Sequence, residues 1–424
     1  MVAALFAAGL ATFALLYSTQ ALLPALVREF GVSTAESTLT MSVTTLGLGL
    51  ALLVAGAWSD RVGRTRLIHA SLAASGVVAL ACALAPSWPA LVALRLLQGV
   101  ALAGLPAVAT AYLREELDHS AQARAAGVYI GGTALGGMTG RLLTGFVGEA
   151  AGWRWAVAAT AALALGCALA VHQLLPSSRH FTARPAGSWL AATRDALVDR
   201  GLVTLYLVGG CAAGALVAVF NALGFRLAAA PFDLELGAAS LVFLVYPVGT
   251  ASSIVFGRLA DGLGRRAVLP IGCALAIVGV LLTLPTQLPL VIVGLALLIA
   301  GFFAVHGVAS GWVPARAHAA GVSTAQAASL YLFTYYLGSS VFGSLTGHAW
   351  ETDGWPGVVV MSSGLLVVAS VLALALRRTP ALLTSSPTGA SRPGSSLVEK
   401  APASFLGRPS LLTSSPPSSG AAPS

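Results

Sequence analysis

The chain has 424 residues, 57% of them hydrophobic and 9% charged, with 23 Lys and Arg against 15 Asp and Glu for a formal charge of +8. A soluble domain carries about a quarter of its residues as charged side chains, so this composition excludes a water-soluble globular protein and leaves lipid as the main solvent. The basic residues sit at the ends of apolar stretches, which reads as membrane orientation and not as a nucleic-acid partner.

In chain order, apolar stretches long enough to span a bilayer fall at 3–26, 38–57, 67–85, 90–112, 125–147 and 156–175. A polar segment with Arg179, Arg184, Arg194 and Arg200 follows, and then further apolar stretches at 202–223, 238–256, 267–284, 290–313, 325–345 and 357–376. The first stretch lacks a basic leader and is long enough to span, so it reads as an uncleaved first helix, with a start upstream of Met1 left open. The pattern predicts an all-α membrane protein of twelve helices: a six-helix bundle over 1–175, a cytoplasmic linker over 176–200 and a second bundle over 201–378. Residues 379–424 are rich in Ser, Pro, Ala and Gly and carry LLTSSP twice, a composition that predicts a disordered cytoplasmic tail. Alternate connections hold eighteen basic residues on one side and only Arg28, Arg154 and Arg226 on the other, which predicts both termini in the cytoplasm. The four cysteines, Cys82, Cys167, Cys211 and Cys273, lie singly in apolar runs and suggest packing, not a disulfide or metal site.

The sequence repeats. Gly56, Asp60, Arg61, Gly63 and Arg64 follow the second stretch, and Gly257, Asp261, Gly264 and Arg265 follow the eighth at an offset of 201. The fifth and eleventh stretches share nine identities at an offset of 202, among them Tyr129 with Tyr331, Gly136 with Gly338, Thr144 with Thr346, Gly145 with Gly347, Glu149 with Glu351 and Gly152 with Gly354. An offset of six helices preserves topology, so the halves are related about an axis along the membrane normal.

The duplicated loop resembles the hallmark loop of the major facilitator superfamily, and the resemblance covers nearly all of residues 1–378. It implies a secondary transporter in which Asp60 and Arg64 form a cytoplasmic latch between the second and eleventh spans, with Asp261 and Arg265 acting similarly against the fifth. Arg95, Gln98 and Gly99 resemble the fourth-span motif, whose arginine is implicated in proton transfer; snorkelling of Arg95 to the surface is the alternative. Gly132, Gly136 and Gly137 resemble the fifth-span motif of antiporters, with Thr133 where that motif has proline. The segments at 136–145, 306–313 and 329–340 resemble the YnfM-type branch, grouped with arabinose and drug efflux proteins.

Other residues stand out on physical grounds. Arg141 is a permanent charge inside the fifth stretch, and its repeat counterpart is Gly343. It serves either specificity or a purely structural role tied to backbone carbonyls. His306 is the histidine nearest a span centre and a candidate for proton coupling, or else a packed, hydrogen-bonded side chain. Tyr331 and Tyr335, four apart on one helix face, form either a cavity wall or core. No carboxylate falls at a span centre, and no nucleotide loop, metal cluster or catalytic constellation is present, so no cofactor or enzyme activity is predicted. The expectation is proton-coupled efflux of small organic molecules by a monomer in the bacterial inner membrane. Import or symport by the same fold is the alternative, and a membrane sensor without transport the remote one.

Overall fold

The computed structural model describes residues 1–178 and 189–378, and the predicted tail lies outside the described residues. Each rod follows from an apolar run closed by a capping or turn signal. The first is α1 (Val2–Leu16) followed by α2 (Leu23–Phe30), then α3 (Thr34–Val62), α4 (Arg64–Ala83), α5 (Trp88–Leu102) continuing into α6 (Gly104–Glu116), α7 (His119–Ala151) and α8 (Trp153–Leu174). A short linker helix, α9 (Trp189–Val198), precedes α10 (Arg200–Ala228). The second half continues with α11 (Leu236–Ser240), a 3-10 turn over Leu241–Val245, α12 (Pro247–Leu263), α13 (Arg265–Leu281), α14 (Leu288–Ala319) and α15 (Thr324–Ala375), which turns at Gly354 into two arms. Joining the interrupted helices and counting both arms of α15 gives twelve membrane-crossing rods, and the described residues contain no strand.

Local chemistry explains the ends. Ser33 and Glu36 form a reciprocal capping box at the start of α3, and Asp199 caps α10 through Leu202 N–H at 2.7 Å. The tight reversals at Gly63, Gly264, Gly152 and Gly354 all have positive φ (+96°, +84°, +87° and +61°), which glycine adopts at low cost. These are two repeat-related pairs. We call the end carrying Gly63 and Gly264 the motif face and the end carrying Gly152 and Gly354 the opposite face.

One buried cluster draws mainly on the first six rods, around Leu5, Met41, Leu72 and Tyr112. Another draws on the last six, around Leu205, Leu269, Val291 and Leu366. Many large apolar side chains, among them Leu84, Leu169, Val255 and Val360, point outward, as lipid-facing helices require. Small residues set the helix spacing: a methyl group at Gly132, Gly136 or Gly140 would lie within 2.4 Å of the carbonyl oxygens of Phe6, Leu10 and Ala14, so this stripe lays α7 directly on α1. Gly338, the repeat counterpart of Gly136, meets Gly210 in the same way.

The first apolar stretch differs from its expectation as one uninterrupted helix. Residues 17–22 form turns inside it. The break survives at membrane depth because its freed backbone groups find partners in other rods.

Candidate functional site

The chief partner of that break is Arg95. Helix α1 ends at Leu16; the following turn supplies donors to Phe13 O and Leu15 O but not to Leu16 O. Arg95, 1% exposed, donates Nη2 to Leu16 O (2.9 Å), Nη1 to Leu15 O (3.2 Å) and to Gln98 Oε1 (2.6 Å), and Nε to Thr40 O (3.1 Å). A cation at a helix C-terminus is also favoured by the helix dipole. Arg95 does not snorkel; it knits α1, α3 and α5 together. The Nε2 of Gln98 is buried without a partner among the described residues.

Arg141 approaches the same break from α7. It is 1% exposed, with Nε donating to Gln20 Oε1 at 2.6 Å and Nη1 to Gly137 O at 2.8 Å. Its guanidinium carbon lies 3.9 Å from the Tyr17 ring centre, 4.4 Å from Tyr246 and 5.0 Å from Phe243. Desolvated cation–π contacts of this kind contribute on the order of 2 kcal/mol each. Tyr17 and Gln20 come from the turns after α1, while Phe243 and Tyr246 come from the 3-10 turn before α12 and its cap. The arginine is thus boxed by two irregular segments, one from each half. No carboxylate pairs with it among the described residues.

The box continues across the molecular axis. Gln20 Nε2 donates to Asn221 Oδ1 at 2.7 Å, and Asn221 Nδ2 donates to Gly343 O at 3.2 Å. Arg141 can only donate, so it obliges Gln20 to present its oxygen, which fixes the sense of both amides. A single directed chain therefore runs from α7 through the turns after α1 and through α10 to α15. Beside it, on the opposite face, a cavity runs from exposed Arg28 and Glu235 to buried Gln20 and Phe243.

His306, on α14, has Nδ1 3.0 Å from the Tyr331 hydroxyl, and its ring packs with Phe302, Tyr331 and Tyr335. Tyr335 meets Tyr336 edge-on at 4.9 Å. The structure brings His306, Tyr331 and Tyr335 into one aromatic cluster, and Tyr335 shares a side-chain hydrogen bond with Tyr17.

At the motif face, Arg64 Nη2 lies 2.7 Å from Asp60 and 3.0 Å from Glu115, and its Nη1 donates to Ser59 Oγ. The two carboxylates together offset the cost of burying its charge. Besides Asp60 at the end of α3, Arg64 thus has an acidic partner on the fourth rod, Glu115. Arg61 is exposed and Gly56 has open space beside it. In the second half Asp261 and Arg265 are exposed, with no ion pair among the described residues, and Gly257 has open space beside it. The counterpart of Glu115, 201 positions on, is Arg316, a reversal of charge, and it binds Asp199 at 2.6 and 2.9 Å. Sequence reasoning missed Gln20, Asn221, Glu115 and the Asp199–Arg316 pair. Polar residues in apolar runs were the available signal for the first two.

Comparison with known proteins agrees with this architecture. Residues 4–304 match the Major Facilitator Superfamily. The chain is 41% identical over 379 residues to the uncharacterized MFS-type transporter YybF of Bacillus subtilis, covering 89% of this chain and 93% of that protein. It is 40% identical over 378 residues to the inner membrane transport protein YnfM of Escherichia coli, covering 88% and 90%. The crystal structure of a mutant of nucleoside transporter NupG superposes with a TM-score of 0.71 at 16% identity, over 88% of this chain and 99% of that one.

Proposed function

The chain belongs to the Major Facilitator Superfamily, a multi-pass membrane transporter, and from that premise we propose that it exports small organic molecules from the bacterial cytoplasm in exchange for protons. In this reading the motif face and both termini are cytoplasmic, as the basic residues of the loops favour. Cargo binds between the halves near Arg141, and the halves rock about it. The observation that carries the proposal is Arg141 itself: a buried permanent cation on the inter-half chain with no carboxylate to neutralise it among the described residues. A guanidinium has five N–H donors, and the two acceptors named here do not use them all. Such a group favours an anionic or strongly hydrogen-bond-accepting cargo over a lipophilic cation. His306, hydrogen-bonded to Tyr331 on α15, is the proposed proton carrier.

The test is binding and flux. Substrates found by thermal stabilisation of purified protein are assayed in inverted vesicles with and without a pH gradient. Arg141→Lys and Arg141→Ala are expected to lose at least about tenfold in affinity, because lysine keeps the charge but not the planar fork. His306→Ala is expected to lose the pH-gradient dependence. Equal affinities across the three proteins, or a preferred substrate that is a monovalent cation, would sink the Arg141 reading, and flux only in the opposite direction would establish import.

A further inference from the structure

Two carboxylates outside the central site hold the opposite face together. Glu149, near the end of α7, accepts from Gly237 N–H at 2.6 Å; Glu351, on the first arm of α15, accepts from Ala35 N–H at 2.9 Å. In each case the donor lies at the start of a helix of the other half, α11 for Gly237 and α3 for Ala35. The acids are 202 positions apart, and so are the donors. The same contact therefore occurs twice, once on each side of the pseudo-axis.

The close approach is prepared by the glycine four residues before each acid. A methyl group at Gly347 would lie 2.3 Å from Ala35 Cα, and one at Gly145 would lie 2.4 Å from Ser240 Cβ. Each glycine lets the partner helix begin against its own, within reach of the acid one turn on. First-turn N–H groups have no intrahelical acceptor, and a carboxylate satisfies them with the added advantage of charge. Thr38 Oγ1 adds a longer bond to Ser344 O at 3.4 Å on the Glu351 side, and the second oxygen of Glu351 stands 3.8 Å from His348 Nδ1. Both acids are exposed at the rim, where water can replace the lost partner. A contact that cycles needs that property.

We propose that Glu149 and Glu351 are two copies of one latch that keeps the opposite face shut, and that both release together when that face opens. The proposal rests on the transport reading for its purpose, but neither bond can survive separation of α7 from α11 or of α3 from α15. Hydrogen–deuterium exchange of the full chain in lipid nanodiscs tests it without any substrate. Glu149→Gln and Glu351→Gln each keep size and remove charge. Each single variant is expected to speed exchange about fivefold in both segments, 33–40 and 235–245, with helix α4 unchanged. Exchange that rises only beside the altered acid would show two local caps, and no rise in either segment would show bonds without consequence; either overturns the latch. A negative result would reject the latch and leave the transport reading standing.

Discussion

The Gln20 amide donates to the Asn221 side-chain oxygen at 2.7 Å, and the two residues stand 201 positions apart in the chain. One comes from the turns after α1 and the other from α10, so this bond joins the two halves, and Arg141 is attached to it through Gln20.

That attachment gives the sharpest test of the central charge. Gln20→Glu places a carboxylate on Arg141 Nε and neutralises it in place, at the loss of the donor to Asn221. Affinity for an anionic cargo is expected to fall about tenfold or more, while a neutral ligand binds nearly as before. Titration calorimetry on the two proteins reads the difference, and an unchanged anion affinity would remove Arg141 from recognition.

Arg95 is expected to act on folding before transport. Arg95→Lys cannot reach Leu15 O, Leu16 O and Thr40 O at once, because a single ammonium replaces a wide planar fork. Leu15 O and Thr40 O keep Ser18 and Thr44 as donors, but leaving buried Leu16 O unpaired costs about 1–3 kcal/mol. Thermal unfolding in detergent should show a clearly lowered midpoint and a reduced folded yield. A variant as stable as the parent would show that the break at 17–22 holds without it.

Arg64 is shared, so its two acids should act non-additively. Asp60→Asn leaves the Glu115 contact and Glu115→Gln leaves the Asp60 contact, whereas the double variant leaves Arg64 without either carboxylate. Transport is expected to slow in each single variant with membrane insertion intact, and a double-mutant cycle on stability should show coupling of about 0.5–3 kcal/mol. Strict additivity would contradict the shared contact.

Asp199 supplies a pH dependence. Burial pushes its carboxyl upward, but the hydrogen-bonded Arg316 guanidinium and Leu202 N–H hold it below the ordinary value of about 4. A carboxyl depressed on folding adds stability above its unfolded pKa and loses it as the pH falls through the folded one. Asp199→Asn should therefore unfold earlier at pH 7, by about 3 °C, and the gap should close as the medium is acidified below the carboxylate range. A gap independent of pH would assign the effect to the lost cap alone.

Much of this was legible in the sequence. Apolar run length exposes the rods, because lipid permits few other backbone solutions, and the two duplicated segments expose the symmetry. Arg95 and Arg141 stand out because a charge at that depth must have a reason. The reasons were not legible. Residues 17–22 look like the middle of an apolar helix, and the partners that hold the break, Arg95 on Leu16 O and Arg141 on the Gln20 side chain, lie far along the chain. Nor does Glu115 advertise itself, since it lies 51 residues from the arginine it shares with Asp60. The identities of Glu149 with Glu351 are visible in one dimension, but their partners are backbone N–H groups that carry no side-chain signature.

The chain through Gln20 and Asn221 also gives the junction of the halves a direction. The bond between the two amides runs from the Gln20 NH2 group to the Asn221 oxygen. Arginine at 141 supplies the donor at one end, and the backbone oxygen of Gly343, its repeat counterpart, accepts at the other. Positions that match in the sequence repeat thus play opposite parts here, one donating to the chain of bonds and the other accepting from it, so each half meets its partner as an unlike surface.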